Sequence, residues 1–187
     1  MKTSDITEKR MQNRRFFKTE RAIFVAYYKF KDYPSAKKLA WTAGVSRSTL
    51  YRHHKKVQSI PADYEDYLLK NYTRTIKKFL KNDSSLKIIF LRTLIFITNN
   101  REFFGILFKD NRKEIIKRMF ECLKPRILDE WHLSGDIDKM YSVYKNGILG
   151  IIEMWHKQKF ANNRLEPILN DILYLTRASR RHLLPLQ

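Results

Sequence analysis

The sequence predicts an all-α protein of about nine helices, a small basic three-helix head on a larger helical body. Three observations carry this. No stretch sustains the alternation of a half-buried strand, whereas apolar residues recur at three- and four-residue spacing. Gly and Pro number only five each among 187 residues, too few for a fold rich in turns. At 43% hydrophobic and 13% aromatic, the chain has enough apolar side chain for a packed core, unlike a disordered basic tail.

Proline and short polar clusters divide the chain. The first helix is expected over about Lys18–Lys31, with Ile23, Ala26, Tyr27 and Phe30 at helical spacing, ending before Asp32-Tyr33-Pro34. The second starts at the N-cap Ser35 and stops at Ala43, where Gly44 breaks it, and the third runs from Ser46 to about His54. The fourth begins near Ser59, with Pro61 tolerated in the first turn, and continues to Lys81. After Asn82-Asp83-Ser84 come Ser85–Thr98 and the short Glu102–Phe108. The seventh, about Arg112–Trp131, is bent or divided by Pro125. Leu133-Ser134-Gly135 is a loop; the eighth helix is Asp136 to about Lys159 and the ninth Leu165 to Ala178.

The charge narrows the function. With 38 Lys or Arg and 19 Asp or Glu, the net charge is +19. Residues 1–60 hold 15 and 4 of these (+11), leaving 23 and 15 (+8) for residues 61–187. Such a surplus points to a polyanion, nucleic acid foremost. The expected domains are therefore 1–60, with a basic arm including Lys9, Arg10, Arg14 and Arg15, and 61–187. The single cysteine, Cys122, allows no internal disulfide and fits a reducing cytosol. The most apolar run, Leu86–Thr98, is interrupted by Lys87 and Arg92 and is too short to span a bilayer. The first residues have no apolar segment of the kind a secretory signal needs.

The sharpest signal is Ser35-Ala-Lys-Lys-Leu-Ala-Trp-Thr-Ala-Gly-Val-Ser-Arg-Ser-Thr-Leu-Tyr-Arg-His53. Ala40 is small where two crossing helices meet, Gly44 suits a positive φ, and Val45 and Leu50 pin the second helix to the first. Ser46 caps that helix, which then turns Arg47, Ser48, Tyr51 and Arg52 outward. This is helix-turn-helix geometry, whose second helix enters the major groove. Arg reads guanine edges, and hydroxyl side chains bond phosphates or bases. The residues expected at DNA are Ser35, Ser46, Arg47, Ser48, Thr49, Tyr51, Arg52, His53, Lys55 and Lys56.

The run Ala43-Gly-Val-Ser-Arg-Ser-Thr-Leu-Tyr-Arg-His53 resembles the signature of TetR-type bacterial transcriptional regulators, and Gly147–Trp155 is similar to the eighth helix of many members. The chain departs from the family in having His54 where Phe is usual and Val57 where a phosphate-contacting Lys is common. The link between the first two helices is short and lacks the usual Gly. The resemblance implies a homodimeric regulator, usually a repressor, whose body binds a small ligand that moves the reading heads out of register with a palindromic operator.

In the body, Met140, Val143, Tyr144, Gly147, Ile151, Met154 and Trp155 fall near one face of the eighth helix. The expected dimer interface is Tyr144, Gly147, Ile148, Ile151, Trp155, Ile168 and Ile172, two helices pairing with their copies as a four-helix bundle. Phe90, Phe96, Phe103, Phe104, Phe108, Trp131 and Tyr144 are the candidates for a pocket taking a small apolar or aromatic ligand, though aromatics at helical spacing are more often core. Catalysis finds little support. His53, His54, His132, His156 and His182 form no metal-ligand spacing with each other or with Cys122, and no phosphate loop or nucleophile elbow occurs. No cofactor is expected, and Asp129-Glu130 and Asp136/Asp138 suit solvated surface and helix starts. The leading expectation is a cytosolic, nucleoid-associated DNA-binding regulator. Two others stand beside it: a regulator of this fold switched by a protein partner, and a helical nucleic-acid-binding protein of low sequence specificity.

Overall fold

The computed structural model describes residues 3–109, 113–131 and 137–181, with side chains from Arg14 to Arg180. Some features named above therefore lie outside the described residues: the side chains of Lys9 and Arg10, Arg112, His132, the Leu133–Gly135 loop, Asp136 and His182. All described regular structure is helical. The helices are α1 (Thr3–Tyr27), α2 (Ala36–Ala43), α3 (Arg47–His53), α4 (Ile60–Lys81), α5 (Leu86–Asn99), α6 (Arg101–Lys109), α7 (Glu114–Glu121), α8 (Lys124–Trp131), α9 (Ile137–Lys157) and α10 (Leu165–Arg181). The fold is all-α, as expected, and the largest departure from the expected boundaries is in α1.

α1 begins at Thr3 rather than near Lys18. Residues 3–17 hold no Gly or Pro, and the run Glu8, Lys9, Arg10, Met11, Gln12 with Arg14 and Arg15 favours helix without an apolar stripe to reveal it. α1 ends at Tyr27, where Lys29 and Phe30 donate to Ala26 and Tyr27, three residues back, and tighten the chain into a turn. The seventh segment is divided, one of the two outcomes expected of Pro125: α7 closes at Cys122, and α8 opens with Pro125 in its first turn, where proline's missing N–H costs nothing.

The described chain forms two compact units, Met1–Leu68 and Leu69–Gln187. Pro61, at the domain boundary expected from sequence, lies in the first turn of α4, so the helix runs on through both units. In the first unit, α1, α2 and α3 close on Ile23, Ala26, Leu39, Ala40, Leu50 and Ile60, with Tyr27, Phe30, Val45 and Val57 packed against them. Phe24 stacks on Tyr64 at 4.4 Å between ring centres.

In the second unit, α9 and α10 pack along each other, with α5 against α10 and α6 and α7 against α9. Three of the buried polar tips find partners as follows. Tyr144 Oη and Thr176 Oγ1 lie 2.8 Å apart, Tyr141 Oη donates to the Phe120 carbonyl at 2.6 Å, and Trp155 Nε1 donates to the Ala161 carbonyl at 3.2 Å. Burial drives the Tyr72 and Tyr144 phenols well above their ordinary pKa, which keeps both neutral. No helix among the described residues is long and apolar enough to cross a membrane.

Candidate nucleic-acid interface

The turn between α2 and α3 is set by local chemistry. Gly44 adopts φ +66°, ψ +33°, a left-handed conformation that costs a side-chain-bearing residue free energy. Its N–H donates to the Trp41 carbonyl, and that of Val45 donates to the Ala40 carbonyl at 3.0 Å. Together these two bonds form a Schellman cap on α2. At the other end of α2, Ser35 Oγ accepts from the Lys38 N–H at 3.3 Å. Ser46 caps α3 by accepting from the Thr49 N–H at 3.0 Å, and its hydroxyl also meets those of Ser48 and Thr49.

Leu50 is buried in the head's core, which fixes the rotation of α3 about its axis. Arg47, Ser48, Tyr51 and Arg52 consequently face solvent, as do Lys55 and Lys56 just beyond the helix. Ser35 and Ser46 are exposed as well, although their oxygens are engaged in capping, and Thr49 is half-buried.

His53 is the exception. Its side chain is only 4% exposed, Nδ1 lies 2.5 Å from Glu20 Oε1, and the ring stacks on Phe16 at 4.3 Å. The expectation that it faces DNA is corrected: His53 and His54 follow Leu50 by three and four residues and so share its inner face. His54 is also buried, with Nε2 3.2 Å from Glu20 Oε2 and Nδ1 3.0 Å from Asp63 Oδ2. Ser59 Oγ donates to the same Asp63 oxygen. Burial by itself lowers the His54 pKa, but the Glu20 and Asp63 carboxylates outweigh it and the net direction is upward. Sequence reasoning missed this cluster. Its signal was Glu20, which sits three and four residues before Ile23 and Phe24 on the apolar face of α1 and therefore needed a buried partner.

The body's candidates are distributed unevenly. Phe90, Phe103, Phe104, Trp131 and Tyr144 are buried, and Phe96 and Phe108 half-buried. Phe103 meets Phe104 at 5.2 Å, Trp131 meets Tyr144 at 4.9 Å, and Phe108 stacks on His156 at 4.8 Å. The structure thus gathers them as core rings. Among the described residues, no group of His, Cys, Asp or Glu could hold a metal ion.

Of the expected dimer residues, Tyr144, Ile148, Trp155, Ile168 and Ile172 are buried within the chain, which corrects their placement at an outer surface. Gly147 and Ile151 remain partly exposed, beside the exposed Val143 (65%) and Met154 (63%). The physical reason is the helical period: Tyr144, Ile148, Ile152 and Trp155 form the inward edge of α9, and Val143, Gly147, Ile151 and Met154 the edge beside it.

Residues 84–169, within the second unit, match the family model of the TetR-type transcriptional regulator C-terminal region. The comparisons with curated proteins and with solved structures give no match.

Proposed function

We infer that this chain, a TetR-type transcriptional regulator by its C-terminal region, recognises duplex DNA with α3 and acts as a homodimer on a near-palindromic operator. The observation that carries the reading is the outward row Arg47, Ser48, Tyr51 and Arg52 on a helix capped at Ser46 and anchored by Leu50. Arg47 at the N-terminal end of α3 is suited to a guanine edge, and Ser48, Tyr51, Arg52, Lys55 and Lys56 to bases and phosphates. A dimer offers two such helices to half-sites about one helical turn apart. The apolar edge Val143, Ile151 and Met154 on α9, with the exposed Tyr174 on α10, supplies a surface for pairing.

In its finer form the reading is a cytosolic repressor released by a small apolar or aromatic ligand held in the body. Trp131 supports this: its buried Nε1 has no acceptor among the described residues, and a buried donor needs one.

Selection of bound duplexes from a random pool tests the reading. The expected result is a consensus with dyad symmetry that keeps the protein against excess random DNA. Equal binding to all duplexes would overturn it in favour of charge-driven binding without sequence readout.

A further inference from the structure

α3 ends on a buried group that the outward row does not use. His54 is the C-cap of the helix, its N–H donating to the Leu50 carbonyl at 2.9 Å, and its side chain is 1% exposed. Each ring nitrogen faces a carboxylate from a different helix. Nε2 lies 3.2 Å from Glu20 Oε2 on α1, and Nδ1 lies 3.0 Å from Asp63 Oδ2 on α4. These two carboxylates are the charged groups that act on the ring. Glu20 is itself buried and turns its other oxygen, Oε1, to His53 Nδ1 at 2.5 Å. The ring centres of His53 and His54 are 6.4 Å apart. Outside this cluster, Arg52, Lys55 and Lys56 are exposed.

The arrangement suits one protonation state. An imidazolium carries a proton on both nitrogens and can serve both carboxylates. A neutral imidazole carries one, so its other nitrogen must turn a lone pair toward a carboxylate. At Glu20 this would leave a buried charge short of a cation, which is costly where the surroundings are apolar.

We propose that His54 is a proton switch on DNA binding: as an imidazolium it ties the end of α3 to α1 and α4, and on losing its proton it frees that end and lowers affinity for duplex DNA. Arg52, Lys55 and Lys56 lie within two residues of His54, so their presentation depends on it. The bound head requires the tied end. Where the free head has lost the proton, binding takes one up, and affinity falls with rising pH by at most about tenfold per unit for each protomer. Burial of His54 opposes its charge, but the two carboxylates outweigh burial, so the change lies above pH 6.5. The inference rests on the DNA-binding reading above.

The test uses the full chain and a duplex recovered from the selection, titrated at constant salt from pH about 6 to about 8.5. The parent's affinity is expected to fall about tenfold across this range, and that of His54→Gln to stay level. Asp63→Asn removes one carboxylate but keeps an acceptor for Ser59, so the midpoint of the fall should move to lower pH. The Asp63 side chain is 45% exposed, so this variant should fold even where His54→Gln does not, and circular dichroism at each pH checks both. The slope of log affinity against log salt should be the same at the two ends of the range. A slope steeper by about one at low pH would assign the proton to a phosphate contact and overturn the switch. An affinity independent of pH in the parent, the parent's profile in His54→Gln, or an unmoved midpoint in Asp63→Asn would each overturn it too, while the α3 reading stands. If no duplex is bound at any pH, both readings fall together.

Discussion

Glu20 on α1 and His54 at the end of α3 meet inside the head, with His54 Nε2 3.2 Å from Glu20 Oε2. The contact is close but not aligned as a hydrogen bond, since that nitrogen has no partner of hydrogen-bond geometry. It acts as a charge pair, completed on the other side of the ring by the 3.0 Å hydrogen bond between His54 Nδ1 and Asp63. Because the folded pKa of His54 is raised above 6.5, its protonated form stabilises the head. That contribution is present below the unfolded value of 6.5 and is lost as pH rises through the raised one. The urea midpoint should therefore fall as pH increases from about 6 to about 8. His54→Gln should flatten this dependence, and an identical slope in the variant would remove His54 as its source.

Gly44 has open space around the position of a Cβ, so substitution there costs backbone strain alone. Gly44→Ala should destabilise the chain by about 1–2 kcal/mol through the left-handed φ. Thermal unfolding reads this as a midpoint lowered by several degrees. A midpoint equal to the parent's would show that the turn tolerates another φ.

Gly147 is the opposite case. A Cβ there would come within 2.8 Å of Leu175 Cδ2, so α9 and α10 approach through a missing side chain. Gly147→Val should cost about 1–3 kcal/mol by overpacking. Combined with Leu175→Ala it should cost less than the sum of the two single effects. Strict additivity in denaturant titrations would mean that the two side chains do not meet.

On α3, Arg47→Ala and Tyr51→Ala should each weaken operator binding by about 1–3 kcal/mol and leave thermal stability within ~0.5 kcal/mol. Loss of folding in either variant would assign the side chain to packing instead.

For the body, Val143→Glu with Met154→Glu places charge on the exposed edge of α9 without touching the buried Tyr144, Ile148 or Trp155. On the proposed dimer, sedimentation should report dimers for the parent and monomers for this variant. An unaltered profile would move the interface to another face.

Much of the head was legible because its signals are local. Gly44, Ser46 and Leu50 act within one turn of themselves, so sequence spacing already contains their geometry. The same spacing would have turned His53 inward had it been applied to Leu50 rather than to the motif as a whole. The early start of α1 was hidden because residues 3–17 carry helix propensity without an apolar stripe.

The sequence by itself determined the helical class, the turn between α2 and α3, and a concentration of charge on the first 60 residues, since each follows from periodicity, one glycine and a count. Only the tertiary structure decided which edge of α9 is buried. Tyr144 and Val143 are neighbours on one apolar helix, and it is the packing of α10, through Thr176 and Leu175, that places the first inside and leaves the second in solvent. Only the fold, too, brought Glu20, His53, His54 and Asp63 together, because a charge cluster assembled from separate helices has no repeat along the chain to announce it.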